Sequence, residues 1–541
     1  GVAAVMMLAK GRGVLRRRLG ANVYGSNTAT DVYFVSSEFT TNLAGAFTTA
    51  LTAALATVYL SVALRQGKEA AGKLASRVLS LFLLGAGAAV VVLVLFAPQV
   101  GRLLAPAYGP EQLDMLAHYL RMFSAAFLFS AFQSIDAAVQ NANDIYVPGK
   151  LYGVIFNPVA IFCMLLLGEK LGLSALVYAY YAANLIQVVL LRLRCRGLYR
   201  FVPSLGARQA DVVQVWRLAL PVLVSNVVIQ FNGIVDKAIC SYLGEGMASS
   251  YTYASTLEQF VTGTFTATIS LVLLSRLVAL AAGEDQQGML RTLTQASTMM
   301  VLILAPVALI TVLSAGDIVS LVYHRGAFTP ENVQSTTLAL LGFAVGFPII
   351  ALRELLIRVH FAYQQTKGPM VISIVAVVCN ITLSVLLSIP FGVLGVTAAT
   401  SLSAVLSVVL LARGVRKQLP GFRLFARPGR YGKCLAAMVV SGAAVLAVGR
   451  LGVASVLVRT VLILSLIYGF DRRCLAASAG AALGIATYAF RIFSPYQSAI
   501  CFALLIVGAI PEWLDLISHR TERIRFMKKE EQRLAKSTKP E

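Results

Sequence analysis

The chain has 541 residues, 58% hydrophobic and 13% charged, with a formal net charge of +22. A soluble domain carries about 25% charged residues, so these values exclude a soluble enzyme. The cations gather in short loops between apolar runs, which excludes the nucleic-acid partner that a basic soluble chain would imply. Runs of about 20 apolar residues match the hydrocarbon thickness of a bilayer, and the period-two pattern of a transmembrane barrel is missing. The sequence therefore predicts an all-α polytopic membrane protein.

The first run, GVAAVMMLAKGRGVLRRRLGANVYG, carries Lys10, Arg12, Arg16, Arg17 and Arg18 and has the wrong flanks for a cleavable signal peptide. It is either a solvated basic stub or a spanning helix whose buried cations mark a functional site. Further runs predict helices at roughly 31–64, 77–98, 113–141, 148–168, 172–192, 213–242, 247–275, 293–315, 332–363, 369–390 and 392–412. Four more follow at 433–450, 452–470, 474–491 and 497–517, giving fourteen to sixteen transmembrane helices, and a basic tail closes the chain at 519–541.

Loop charge decides between the two readings of the first run. Loops after even-numbered helices among the first twelve, with the helix ends beside them, hold 21 Lys and Arg, and those after odd-numbered ones hold 3, Arg102, Lys170 and Arg325. Cytoplasmic loops are the basic ones, so the bias holds only if residues 1–24 span. Both termini are then expected on the cytoplasmic side of a plasma membrane. A helix of 24 residues reaches about 36 Å, and three consecutive residues fan over about 200° of it. Arg16, Arg17 and Arg18 cannot all face one cavity.

The sequence also repeats. Residues 25–50 resemble 244–268, each with Gly, then Ala at +4, then G-x-F-T. Residues 94–127 align with 312–347, and both lead through a long helix into a Pro loop, IYVPGK and QTKGPM. Two six-helix lobes are expected, 1–205 and 206–417, followed by extra helices at 418–518 and the tail. Six is even, so the copies share an orientation. Parallel repeats of this kind occur in transporters that bind at the repeat interface and rock one lobe against the other.

At these residues the chain resembles the lipid II flippases (the MurJ/MviN family) of the multidrug/oligosaccharidyl-lipid/polysaccharide exporter superfamily. G-V-L-R (13–16), Y-G (24–25) and A-T-D-V-Y-F-V (29–35) carry the likeness in the first lobe. V-D-K-A-I-C-S-Y-L-G-E-G (235–246), R-G-A-F-T (325–329) and R-E-L-L-I-R-V-H-F-A-Y-Q-Q-T-K-G-P-M (353–370) carry it in the second. The resemblance implies a V-shaped bundle of fourteen helices with a cationic central cavity. It implies movement of undecaprenyl-linked peptidoglycan precursor to the outer leaflet, with the last two helices forming a groove for the lipid tail. It places the first-helix arginine on Arg16, a second basic position on Lys10 and the acid that opens helix 2 on Asp31. Some members bind sodium with an acid on helix 7 and polar groups on helices 11 and 12, and Asp236, Asn380 and Thr397 are the nearest matches. Two departures stand out. The helix 8 arginine of a Y-A-x-R block is Thr256 here, and the Arg and Glu of a helix 2 segment are missing from Asn42–Phe47.

A diphosphate head group asks for Lys and Arg in a wet cavity, Arg being able to bind it bidentately. Arg16 is the first candidate, then Lys10, Arg12 and Arg17, with Lys237, Arg353 and Arg358 from the second lobe. Lys237 adjoins Asp236, so the two could instead neutralise each other, and Arg353, Glu354 and Arg358 could form an ion-pair set. Asp136 and Glu258 are expected to partner cavity arginines. Gly392 and Gly395 are expected to allow a tight turn. The competing functions are a flippase for another lipid-linked glycan, of O-antigen, teichoic or exopolysaccharide type, and a drug or cation antiporter, which would want an acidic cavity. An enzyme on lipid-linked sugars would need paired carboxylates or metal ligands; the loops are nearly acid-free, His118, His324, His360 and His519 are isolated, and the seven cysteines show no CxxC spacing. No cofactor is expected beyond a sodium ion or the membrane potential as driving force. The expected partners are the lipid-linked glycan, membrane lipids (anionic ones for the tail) and cell-wall synthesis proteins.

Overall fold

A computed structural model describes Gly13, residues 15–143 and, apart from short stretches within 144–150, 205–208, 284, 364–366 and 425–437, the chain as far as Val440. Lys10, Arg12, the basic tail and almost all of the four expected C-terminal helices lie outside the described residues. The chain divides into two compact units, Gly1–Pro428 and Gly429–Glu541.

In the first unit, helix α1 (15–24) leads into α2 (Thr28–Gln66), α3 (Lys68–Leu95), α4 (Ala97–Leu104), α5 (Pro110–Phe123), α6 (Ala126–Ala142), α7 (Tyr152–Leu171) and α8 (Ser174–Cys195). After the basic linker come α9 (Ala210–Ser241), α10 (Met247–Ala282), α11 (Gln286–Leu313), α12 (Ala315–Tyr323), α13 (Pro330–Ala344), α14 (Phe347–Ala362) and α15 (Lys367–Gln418). Local chemistry sets the starts. Asn27 caps α2 through a reciprocal pair with Thr30. Pro110 and Pro330 stand where a helix needs no N–H, and Thr329 caps α13.

Seven of the described helices are long and apolar enough to cross a membrane, or eight if the bent pair α13–α14 counts as one span. The described helices overlie the apolar runs, though α3 and α11 begin nine and seven residues earlier than expected, α10 ends seven later, and the runs 369–390 and 392–412 join as α15 across Gly392. Two further differences concern breaks. The runs at 113–141 and 332–363 are each broken in two, at Ser124–Ala125 and Val345–Gly346, and α13 meets α14 at 47°. Pro348 in the first turn of α14 cannot bond back to α13, which explains the second break. Short helices α4 and α12, which hydropathy alone does not separate from the runs before them, precede each broken span.

The packing repeats as the sequence does. Helix α2 lies on α3, α5 and α6, and α10 lies on α11, α13 and α14 in the same roles; α6 meets α8 as α14 meets α15. Gly172 between α7 and α8 has φ 54°, ψ −138°, and Gly392 inside α15 has φ 57°, ψ −136°. The same left-handed turn thus reverses the chain in both lobes, and it favours glycine because a Cβ there strains the backbone. Helix α9 bridges the lobes, packing along α2 on one side and on α15 on the other. One apolar core fills the first lobe and continues into the half of the second lobe nearest the α9–α10 turn, through Tyr253, Tyr323, Phe328 and Phe343. The other half of the second lobe has a separate core around Leu277, Met289, Leu355 and Leu411. Apart from the bridging α9, whose basic-loop end packs on the first lobe through Val212, Val215 and Trp216, the lobes share a core at one end of the bundle and have separate cores at the end that carries the basic loops.

Replacing Gly392 with Ala should cost about 1–2 kcal/mol, because the conformation is left-handed although open space surrounds it. Gly45→Ala, in the middle of α2 and equally open, should be neutral or stabilising by up to about 1 kcal/mol. Thermal unfolding in detergent micelles compares the two; a Gly392→Ala midpoint at or above the parent's would contradict the shared-turn reading.

Candidate functional site

Helical geometry separates the α1 arginines, as three consecutive residues must be. Arg16 stays within its own lobe: its Nε donates to Asn157 Oδ1 of α7 at 3.1 Å, and its guanidinium lies 4.8 Å from the Phe156 ring centroid. Phe156 is in turn stacked on Tyr152, with centroids 5.6 Å apart and planes 8° apart. Arg17 turns to the other lobe, where Nη1 donates to the Thr252 carbonyl of α10 at 3.1 Å. Its guanidinium also lies 5.8 Å from the Phe34 ring. Both arginines are half-buried. Thr256, which stands where the family pattern expects an arginine, donates to that same Thr252 carbonyl at 2.8 Å. A guanidinium from α1 therefore sits one turn from the position where α10 lacks its own.

Beyond Arg17 the lobes close on each other through backbone. The Asp31 carboxylate, 2% exposed, accepts from Gly246 N–H at 2.7 Å, from Ser249 N–H at 2.6 Å and from the Ser249 hydroxyl. Those N–H groups open α10, so the negative charge also meets the positive end of a helix dipole. Ser26 donates to the Gly246 carbonyl at 2.9 Å, Tyr253 to the Gly25 carbonyl at 3.0 Å, and Ala327 N–H to the Asn22 carbonyl at 2.9 Å. Gly25, at φ +69°, approaches Ala327 so closely that a Cβ would meet its carbonyl oxygen at 2.5 Å. At the rim Glu245 accepts from Thr28 N–H at 3.0 Å, and bonding to Thr28 holds its carboxyl below the usual range. That part of the seam is kept above the lowered pKa and lost as the pH falls through it. Asp31, expected to touch substrate, has its carboxylate fully engaged in this closure.

Lys237 of α9 is 5% exposed and forms an ion pair with Glu38 of α2, beneath the Tyr251 ring at 6.0 Å. Neutralisation by Asp236 next door does not occur. The Asp236 carboxylate accepts instead from Ser384 at 2.9 Å and Tyr251 at 3.1 Å. With the Asn380 amide turned to face it, the amide nitrogen donates to Asp236 Oδ1 at 3.2 Å and to Asn232 Oδ1 at 2.8 Å, and the amide oxygen accepts from Thr400 Oγ1 at 3.2 Å. Asp236 and Asn380 therefore meet as expected, but Thr397 is not with them. Its hydroxyl is bonded to the Val393 and Leu394 carbonyls of its own helix, against Gly342, and Thr400, three residues on, takes the place. Among the described residues no group of three or more His, Cys, Asp or Glu could hold a metal.

The remaining candidates lie elsewhere. Arg353 pairs with its neighbour Glu354 at 3.1 Å on the half-buried face of α14, and Arg358 lies five residues further along that helix. Asp136 does not partner a cavity arginine. It binds Arg192 Nε at 3.1 Å and accepts from Tyr199 at 2.5 Å, with Arg192 enclosed by Phe132, Tyr199 and Phe201, which ties α6 to α8 inside one lobe. Four contributors escaped the sequence reading: Glu38, Asn157, Ser384 and Thr400. Glu38 alone had a visible signal, as one of two acids inside the long apolar run of α2. Asn157, Ser384 and Thr400 look like ordinary helix residues until their helices are placed.

A family model described as lipid II flippase MurJ matches residues 20–470. A probable lipid II flippase MurJ of Vibrio cholerae is 26% identical over 436 residues, covering 77% of this chain and 82% of the relative. Its counterpart from Rickettsia prowazekii is 22% identical over 424 residues, covering 77% and 83%. Among solved structures, a lipid II flippase MurJ in an inward closed conformation aligns with a TM-score of 0.74 at 19% identity, over 88% of this chain and 99% of that one. An inward-facing multidrug resistance MATE family transporter of the MOP superfamily aligns at 0.63 and 14% identity, over 77% and 94%. These two likenesses show the fold.

Asp31→Asn keeps the side-chain shape but sets an amide against backbone donors. Hydrogen bonds to a charged group are worth about 1.5–3 kcal/mol, so the closed form should lose about 10- to 100-fold of its weight. Labelling of a cysteine placed at Ala327 by an impermeant maleimide, applied to the face opposite the basic loops, should accelerate accordingly; an unchanged rate would show that Asp31 does not hold the seam.

Proposed function

The chain belongs to the family of lipid II flippases described as MurJ, and we propose that it carries the polyprenyl-diphosphate-linked peptidoglycan precursor across a bacterial inner membrane by alternating access. The observation that carries this reading is the position of Arg16 and Arg17, half-buried in a membrane helix at the seam of two lobes that share a core at one end only. The basic loops support a cytoplasmic position for the separated end; on this reading both termini lie inside and this state is inward-facing. The head group would enter from the cytoplasm while the polyprenyl chain stays in lipid. Its diphosphate would settle on Arg16, whose partners Asn157 and Phe156 orient the guanidinium without cancelling its charge. Arg353 and Arg358 would line the way in. Loss of the Asp31 contacts would then open the opposite face as the lobes rock.

One observation favours a second reading. Thr256 stands in place of an arginine on α10, so the head group recognised here is either lipid II, with Arg17 supplying the missing cation, or another lipid-linked glycan. The cation/drug antiporter fits less well, because the seam carries arginines. The Asp236, Ser384 and Thr400 oxygens, joined by the Asn380 oxygen once its amide turns back toward Asp236, are hard donors with one carboxylate among them, which suits a monovalent hard cation. Sodium would be held there, fixing α9 against both halves of α15.

Rescue of cells depleted of their lipid II flippase tests the reading. The parent chain should restore growth, Arg16→Ala should fail, and Arg16→Lys should restore it partly, since Lys keeps the charge but not the bidentate fork. Rescue that survives Arg16→Ala sinks the site, and failure of the parent points to the other glycan. For the cation, sodium in place of choline should raise the thermal midpoint of the parent by an amount that grows with concentration, and Asp236→Asn should abolish the rise. A sodium response that persists in Asp236→Asn would place the ion elsewhere.

A further inference from the structure

The Glu38–Lys237 pair is out of keeping with the rest of the seam. Elsewhere among the described residues, α2 meets the second lobe through contacts in which at least one side is neutral. Here two full charges are brought together inside the membrane, joining α2 to the bridging helix α9. Desolvating such a pair costs about as much as its attraction returns, so it is weak evidence for stability. Its components are also unequal. The Lys237 side chain is 6% exposed and the Glu38 side chain 26% exposed. The ammonium is therefore the more deeply buried of the two and the carboxylate the more accessible. On the same face of α9, Cys240, one turn further along, is 0% exposed. Lys237 also has a second, neutral support in the Tyr251 ring, so its position does not depend on Glu38 alone.

We propose that Glu38 is a built-in anion that occupies Lys237 until the substrate's diphosphate displaces it, so that binding of the head group itself unties α9 from α2. The proposal rests on the lipid-diphosphate reading of the same site. Diphosphate carries more charge than a carboxylate and more acceptor oxygens, and Arg17, against the Phe34 ring one turn before Glu38 on α2, lies near the pair. The exchange leaves Lys237 paired throughout, so its charge is never stranded in hydrocarbon. It also couples recognition to motion, because the bond that is given up is one that joins the two lobes. A neutral ligand could not make the exchange and would leave the tie in place.

The test is a double-mutant cycle read by binding of undecaprenyl diphosphate to the purified full chain in nanodiscs. Glu38→Gln should tighten binding by about three- to tenfold, because the competing anion is gone and the competent fraction rises. Lys237→Met should weaken it by about tenfold or more. In the Lys237→Met background, Glu38→Gln should change nothing. A Glu38→Gln gain that persists without Lys237 would show that Glu38 acts by general repulsion, and a loss of binding in Glu38→Gln would show that the pair is structural; either overturns the proposal. The doubly neutral variant strands no charge, so it reports even if a single variant folds poorly. Alkylation of Cys240, followed on its peptide by mass spectrometry, should speed up in Glu38→Gln without ligand and in the parent with ligand. A rate unmoved by ligand would overturn the untying step. Arg16→Ala separates the two levels: if it loses binding while the Glu38 cycle is flat, the transport reading stands and this inference falls. A parent that binds no undecaprenyl diphosphate removes both.

Discussion

Charge buried in a membrane must find a partner, and the choice of partner governs this structure. Asp31 finds backbone N–H groups at the start of α10. A carboxylate can accept several such bonds and take the field of a helix end as well. An amide or a hydroxyl would not replace it, because the donors opposite are fixed in the backbone. Around that bond the chain comes to its closest approaches: Gly25 against Ala327, Gly246 against Ser26, Tyr253 against Gly25. The aromatic cluster of Tyr253, Tyr323 and Phe328 then fills the space behind. The fused end of the bundle is thus organised by one anion and the absence of side chains next to it.

The repeat explains why a seam exists, and its imperfections explain what the seam can do. Gly172 and Gly392 adopt the same turn, and α4–α6 and α12–α14 follow the same course. The polar residues do not follow the repeat. In the first lobe α1 offers cations to α7 through Arg16 and Asn157; in the second, α9 offers an acid to α15 through Asp236, Ser384 and Asn380. Duplication supplied two equivalent helix interfaces, and opposite charge was placed in each. On the proposed reading, an anion and a cation would be handled in one molecule at related but separate places.

Much of the fold was legible because hydropathy and loop charge are read at the scale of whole helices. Runs of apolar residues marked the spans, and the repeat at 94–127 and 312–347 marked the stretches that hold α4–α5 and α12–α13 as equivalent, without resolving the short helices. The break at Ser124 has no marker in the sequence, whereas Pro348 is a visible signal for the one at Gly346 and went unread. The site was legible in part. The motif residues Tyr24–Gly25, Asp31, Glu245–Gly246 and Gly326–Phe328 converge, yet they build the closed seam rather than a head-group contact. Sequence likeness marks what is constrained, and close backbone approach constrains more strictly than a flexible cation does. Thr397 was chosen over Thr400 because spacing along one helix does not say which side faces α9. Glu38 went unnoticed because its meaning depends on Lys237, 199 positions away.

The partners of the three cations at the seam differ in a way that bears on binding. Arg16 rests on an amide oxygen and a ring, Arg17 on a backbone carbonyl and a ring, Lys237 on a carboxylate. A neutral acceptor fixes a guanidinium in place but leaves its charge to act on whatever enters. A carboxylate removes the charge from view. The seam therefore presents two oriented positive charges in this state and holds a third in reserve. On the proposed reading, two charges would meet the diphosphate on arrival, and the third would strengthen the grip only after Glu38 is displaced. Interactions that strengthen only along the way are the ones that drive a conformational cycle, because a ligand moves an equilibrium by no more than its differential affinity for the two states. A cavity with all three cations exposed from the outset would hold the diphosphate more tightly in the inward-facing state and would have less reason to leave it.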